Sequence, residues 1–458
     1  MADTKLIAQS FPYPTHIDRI SQYSSNQQLL EGNHWEAFAL QGDKDFSERY
    51  SKLRYVVCNF AGLVSKVIAD ILFGEGITIS GGDNQAWLED FYFKNQMQTL
   101  NFESAMSNSA KGDALYKLRV EDKEIFVDDI NPSIYFPHIN PANPKRKPET
   151  EELAWTEMIG KTKYLIREIH TPGFVITKVH ELNDKNEIEI DVDVKKYNEI
   201  AGTNYVASVD TGIKRNLLVH VPNYRYSGKY FGVSDYNDIN SLLFALNNRI
   251  TKVDNILDKH SDPILAVPEG ILDENGRVKK EKLTMIELAD KDTPTPEYIV
   301  WNASLENAFK EIDKLVEFLF MFSETSPDVL GLGKGQAESG RALKMRLLRT
   351  IAKKNRKQRY YDQGLKEVFI IAQELSRAKG YTVNGVKCPS NPVIPSLKFA
   401  DGIVNDTFED TQIQTMRLES GITTKKRAIM TLDEVEESEA EEIIKEINTE
   451  KGDFTSAI

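Results

Sequence analysis

Apolar residues recur at helical spacing along several long stretches and alternate at strand spacing in one. In FSERYSKLRYVVCNFAGLVSKVIADILFGEG, residues 46–76, Leu53, Val56, Val57, Phe60, Val64, Val67, Ile68 and Ile71 share one helical face, and Gly74 and Gly76 end it. A second helix is expected near NQAWLEDFYFKNQM and a third from Phe102 to Gly112. Before them, residues 1–45 are polar and aromatic with little periodicity and read as an extended arm. From Leu115 to about Val221 the pattern changes to short alternating runs such as LYKLRV, KEIFVDDI, KYLIREIH, FVITKVHEL and EIEIDVDV, with NDKN as a hairpin turn. PANPKRKPETEE, residues 141–152, reads as a polar surface loop.

The helical pattern then returns. SDYNDINSLLFALNNRITKVDNILDKHSDP places Leu242, Leu243, Leu246, Ile250, Val253 and Leu257 on one face, with Ser234 as expected N-cap and Pro263 as the stop. Residues 264–302 turn to short strands around DENGR, and SLENAFKEIDKLVEFLFMF starts a further helix at Ser304. The pair reads as a stalk of two helices with a β tip. TSPDVLGLGKGQAESG, residues 325–340, is a Gly-rich loop. After it the helical pattern runs without proline from about Ala337 to Lys379, which at 1.5 Å per residue is roughly 65 Å. Gly364 is the expected kink. Short strands follow, and from Asp406 the tail is helical and acidic. The chain is thus α+β, a β-rich half attached to a helical half.

Charge changes the picture at one place. The chain of 458 residues carries 70 Asp and Glu against 57 Lys and Arg, a net charge of −13. Yet the stretch from Arg341 to Arg359 holds nine Lys or Arg and no acid beyond it until Asp362. At 100° per residue Arg346, Arg349, Lys353 and Arg356 form one stripe, with Leu343, Leu347 and Ile351 opposite. Such a stripe is either a solvated or subunit-facing surface paired with acids elsewhere, or it meets phosphates. The overall acidity argues against coating nucleic acid with the whole surface and leaves room for a local basic site, or a channel to which nucleic acid does not stick.

Chemical motifs are sparse. GLGKG, residues 331–335, is not a P-loop: the position five residues before its GK is Asp328, and Lys334 is followed by Gly335. Gly331, Gly333 and Gly335 instead make a loop with Lys334 at its tip. His170 and His180 sit in strand patterns as ordinary strand residues, and the acidic pairs Asp128–Asp129 and Asp191/Asp193 read as solvated turn and strand acids. Cys58 and Cys388 fit no metal or redox spacing and read as buried thiols. No catalytic residue, metal site or cofactor is expected. The N-terminus shows no signal peptide, and no stretch has the roughly 20 apolar residues that span a bilayer.

The order of these elements resembles the portal protein of tailed bacteriophages, the family that packages DNA with a terminase. The stretches NFAGLVSKVIADILFGEGITIS, NSAKGDALYKLRVEDKEIFVDDINPSIYFP, SDYNDINSLLFALNNRITKVDNIL, TSPDVLGLGKGQAESGRALKMRLLRTIAKKNRKQRYY and GITTKKRAIMTLDEVEESEAEEIIKEI carry the resemblance, from about residue 45 to 450. It implies a portal-like subunit. The wing would be 1–233 and stem helix 1 would be 234–262. The clip would be 263–303, stem helix 2 304–324 and the tunnel loop 325–336. The long wing helix with its return strands would be 337–405, and the helical crown 406–458. It further implies a ring, usually of twelve subunits, at one capsid vertex. The partners would be double-stranded DNA, the terminase large subunit, the major capsid protein and scaffold, and a head-to-tail adaptor. The place would be the virion, with assembly in the host cytoplasm. Lys334, Gly331, Gly333 and Gly335 would face DNA in the tunnel. Arg341, Arg346, Arg349, Lys353 and Arg356 would serve subunit pairing or DNA contact. Two rivals stand beside this reading. A nucleic-acid-processing enzyme with a basic substrate track needs a carboxylate or His cluster near 330–360, where only Glu338 and Asp362 are found. Another virion component, from a tail or baseplate, is separated from a portal by ring stoichiometry and a DNA-sized hole.

Overall fold

The computed structural model describes residues 10–40, 55–261, 264–266, 297–299, 305–333, 340–400, 407–433, 435 and 437–456. The N-terminal segment is helical where an extended arm is expected: α1 spans Ile17–Glu31 and α2 His34–Leu40. The helical period is hidden because the buried face of α1 is small and polar. Tyr23, Ser25, Asn26 and Leu29 face inward, Tyr23 Oη donates to Asp113, and Asn26 Nδ2 donates to the Ala110 carbonyl at 2.8 Å. Ahead of α1, Phe11 and Tyr13 pack edge-on against Phe136.

The apolar helix α3 (Phe60–Phe73) begins later than its periodicity suggests. Asn59 caps it by accepting from Gly62 N–H at 2.8 Å, and Leu53 lies outside the described residues. Residues 55–59 run extended, and Val56 and Cys58 donate their N–H groups to Thr251 Oγ1 and Asn247 Oδ1. Helices α4 (Gln85–Lys94) and α5 (Met97–Lys111) follow the short strand β1 (Ile77–Ser80). Gly112, at φ 93°, ends α5 in the left-handed conformation that glycine adopts without cost.

The alternating region forms two antiparallel sheets. The strands β2 (Asp113–Glu121) and β3 (Glu124–Asp129) pair with β10 (Leu218–Pro222) in the order β10-β2-β3. The larger sheet runs β4 (Tyr135–Pro137), β5 (Glu151–Ile159), β6 (Thr162–Thr171), β7 (Phe174–Leu182), β8 (Ile188–Val192), with β9 (Ser208–Asp210) beside β7. Helix α6 (Val194–Ala201) covers one side, capped by Asp193. The His170 and His180 side chains are buried in this sheet, 2.5 Å from Glu168 and Asp191 respectively.

Helix α7 (Asn240–Ser261) packs on α8 (Glu306–Phe322), with Arg249 and Glu311 paired across them at 2.7 Å. Their ends meet the N-terminal helices in a core of Leu29, Phe38, Phe60, Val64, Leu243 and Leu319. Between them β11 (Ile264–Ala266) pairs antiparallel with β12 (Glu297–Ile299), and most of the expected β tip lies outside the described residues. Ser234 does not cap α7, which starts at Asn240. It closes a local turn, accepting from Tyr236 N–H and donating to the Ala110 carbonyl.

The basic stretch forms α9 (Gly340–Arg346) and α10 (Leu348–Lys379). The interruption falls at Leu347, not at Gly364, which lies within α10. Gly364 serves close packing instead: a Cβ there would come 2.4 Å from Val221 Cγ2 on β10. Beyond it Leu365, Val368, Phe369 and Ala372 enter the main core with Phe73, Phe91 and Tyr116. Strand β13 (Ser396–Phe399) returns to pair with β1. The tail forms α11 (Thr407–Glu419), α12 (Lys425–Leu432) and α13 (Glu437–Ser456).

Candidate functional site: the basic helix and the glycine-rich loop

The first half of α10 lies where the start of the α7 segment and the end of α8 converge. Position 353 begins an i, i+4 row through Lys357 and Tyr361 to Leu365, and all four side chains are buried. The two lysines are therefore carried into the interior by the row that supplies the core. Asp235 meets them there, its carboxylate 2.7 Å from Lys357 Nζ and 3.3 Å from Lys353 Nζ. None of the three side chains is more than 4% exposed. Ser109 Oγ and Asn223 Nδ2 donate to the same carboxylate at 2.6 and 3.0 Å. Lys353 also donates to the Ser323 carbonyl at 2.8 Å, and Lys357 to Asn223 Oδ1.

Burial alone would raise the Asp235 carboxyl. The Lys353 and Lys357 charges, with the bonds from Lys357 and Ser109, outweigh it and hold the group well below the usual carboxylate range. Burial pushes the Lys357 ammonium down to about 8, because the Asp235 attraction only partly offsets desolvation and the nearby Lys353.

A second clamp lies beside this one. Glu324 follows α8 at φ 54°, a left-handed conformation uncommon outside glycine. Its carboxylate pairs with Arg349 at 3.1 Å and with Arg356. Thr350 Oγ1 accepts from Ser326 N–H at 2.8 Å, and Arg346 reaches Asp328 at 3.3 Å. Lys354 donates to the Ala400 carbonyl at 2.6 Å. The stripe read from the sequence thus holds the end of α8 and the start of the Gly-rich loop against α10. Arg346, Arg349, Lys353 and Arg356 all find acids of their own chain. Arg349 still presents 77% of its side chain to solvent. Arg341 lies on α9.

From this anchored base the loop turns through Pro327–Leu330 to Gly331, at φ 68°. A side chain at Gly333 would collide with the Asp328 carboxylate. The backbone requires glycine at 331, whereas at 333 the obstacle is the end of the Asp328 side chain. Lys334 and Gly335 lie outside the described residues. Asp235, Glu324 and Lys357 were not among the expected site residues. The available signal was the i, i+4 step from Lys353 to Lys357, in line with the core positions that follow.

Three of the four acids in the pairs expected to be solvated make contacts within the chain. Asp193 caps a helix, Asp191 pairs with His180 and Asp128 with Arg119. Asp129 stands at the solvent-exposed end of β3. Among the described residues no group of His, Cys, Asp and Glu is placed to hold a metal ion, and no helix is long and apolar enough to cross a membrane. Cys388 is buried and Cys58 half-buried, and neither forms a disulfide.

Residues 12–453 match the family model described as phage portal protein, SPP1 Gp6-like. No curated protein matches the chain. Among solved structures, the chain is similar to the neck of a native gene transfer agent particle computed with C12 symmetry, at 10% identity and a TM-score of 0.44 over 81% of this chain and 87% of that one. It is similar to the neck of an empty particle computed with C6 symmetry, at 12% identity and a TM-score of 0.45 over 86% and 94%. The virion of a native gene transfer agent gives 11% identity and a TM-score of 0.44 over 86% and 94%. The family assignment rests on the sequence match, which runs through both sheets, the helix pair, the clamp and the tail: the chain belongs to the SPP1 Gp6-like family of phage portal proteins, structural components of the portal vertex of the virion.

Proposed function

We propose that this chain is one subunit of a ring of twelve that forms the DNA channel at a single capsid vertex. The genome would enter through it under terminase, and the head-to-tail adaptor would later close it. The family match over residues 12–453 carries this reading. In it, residues 1–233 and 337–405 form the wing, α7 and α8 the stem, 263–303 the clip, 325–336 the tunnel loop and 406–458 the crown. Terminase supplies the ATP chemistry and this chain supplies none.

Three physical features support this reading. Phe318, Met321 and Phe322 of α8 and Met345 and Leu348 beside the clamp are exposed in the single subunit, Met321 by 64% and Met345 by 69%. Large apolar side chains gathered near one junction suit burial against a neighbouring copy. The clamp also gives the tunnel loop a rigid base. The overall negative charge suits a channel that DNA passes without sticking.

The test is deletion of residues 327–336 followed by an assay of genome packaging. The reading expects assembled rings with impaired DNA packaging or retention. Loss of the ring itself would overturn the tunnel-loop assignment, and normal packaging would overturn the loop's role.

A further inference from the structure

The 141–152 loop and the 223–231 turn meet against α10 well along from the clamp. The first carries a basic run, Lys145, Arg146 and Lys147, and the second carries Arg225 and Lys229. A cleft of about 240 Å³ lies where they meet, lined among others by Lys145, Lys147, His220, Arg225, Tyr230 and Tyr360.

The acids that line this cleft are already engaged. Glu151 accepts from Tyr135 Oη at 2.5 Å and from Asn216 Nδ2 at 2.7 Å. Glu367 pairs with Lys147 and with Arg215. One donor is in the opposite condition: Arg225 Nε is a buried nitrogen with no hydrogen-bond partner among the described residues.

The His220 side chain is 3% exposed, and its ring is fixed on two sides. Nε2 donates to Asp113 at 2.6 Å, and the Tyr230 ring stacks on it at 4.9 Å. The Arg225 guanidinium lies 5.2 Å from the centre of that same Tyr230 ring. Asp113 also accepts from Tyr23 Oη and from Gly232 N–H, and so fixes the imidazole that stacks on Tyr230. A buried donor without an acceptor is costly, and Arg225 Nε in this cleft calls for a group rich in acceptor oxygens. The planar guanidinium suits a tetrahedral oxyanion, and a pre-positioned group loses little freedom on binding it.

We propose that this cleft binds a phosphate-type oxyanion, held by Arg225 and Lys145. The anion would bridge the 141–152 loop, the 223–231 turn and α10, and so tie the sheet region to the long helix. A free phosphate and a backbone phosphate of nucleic acid share this chemistry. The proposal does not depend on the ring.

The experiment titrates inorganic phosphate into the full chain at constant ionic strength and follows ³¹P line broadening. Saturable binding is expected, weakened at least tenfold by Arg225→Gln. Lys145→Gln, on an exposed loop whose change leaves folding intact, should weaken it about threefold. Lys185→Gln, in the hairpin turn away from the cleft, should leave it unchanged. Non-saturable broadening, or equal binding by wild type and by both cleft variants, means an adventitious ion only and overturns the proposal. A second arm adds a short duplex as competitor. Displacement of phosphate identifies a backbone phosphate as the source, and phosphate binding without displacement identifies a free anion.

Discussion

The clamp on α10 and the cleft beside the 141–152 loop both gather cations in an acidic chain, and they differ in what the fold sets opposite them. At the clamp, Lys353 and Lys357 share Asp235, and Arg349 and Arg356 share Glu324. Every one of these charges has an acid from a distant part of the same chain. At the cleft, Glu367 takes up Lys147 and Glu151 accepts from Tyr135, while Arg225 Nε has no acceptor among the described residues. A run of basic residues is therefore no guide to ligand binding by itself. The nine cations of the basic stretch look the more dramatic in the sequence, yet the sparser set in the cleft holds a buried donor left open.

The largest effect should come from removing the one acid that serves two buried lysines. Asp235→Asn leaves both ammonium groups without a counter-charge, and about 3–5 kcal/mol of stability should be lost. Urea unfolding of the variant measures it. A loss below about 1 kcal/mol would mean that the lysines reach solvent, and the contrast with the cleft would fail.

The pH dependence of Lys357 sharpens the same point. Its ammonium titrates near 8 when folded, below the ordinary 10.5. Below 8 both states carry the proton. Between 8 and 10.5 only the unfolded state does, so this group makes stability rise with pH across that window. Wild type should gain on Lys357→Met as pH rises from 8 to 10.5 and not below 8. Parallel stability curves for the two proteins would contradict the buried placement.

Glu324→Gln should cost less, about 1 kcal/mol and decreasing with added salt, because Arg349 is largely exposed. Arg225→Gln should change stability least, within about 1 kcal/mol, while abolishing most phosphate binding. If Arg225→Gln destabilised the chain as much as Asp235→Asn, the cleft would be a second structural clamp.

What the sequence conveyed follows from what local periodicity encodes. Helices α3, α7 and α10 and the alternating strands were readable because each buries an apolar face. Helix α1 was not, since Ser25 and Asn26 occupy its buried face and hydrogen bonds replace apolar contact. The stripe on α10 was visible as an amphipathic pattern, but its acids were not. Asp235 pairs with Lys353 across the whole α7–α8 excursion, and no local spacing encodes that meeting. Asp235 itself directly follows the expected N-cap Ser234, whereas α7 begins later, at Asn240, and frees residue 235 for the core. Gly364 was taken for a kink when its missing side chain admits Val221. The cleft was hidden for a similar reason: Lys145 and Arg225 lie in different loops, and only the sheet brings them together.

The central claim is that the chain builds a ring around a DNA-sized channel, and electron microscopy with native mass spectrometry of the purified protein tests it most directly. The account predicts closed rings of about twelve subunits with a central hole wide enough for duplex DNA. A compact closed dimer with no channel would contradict it.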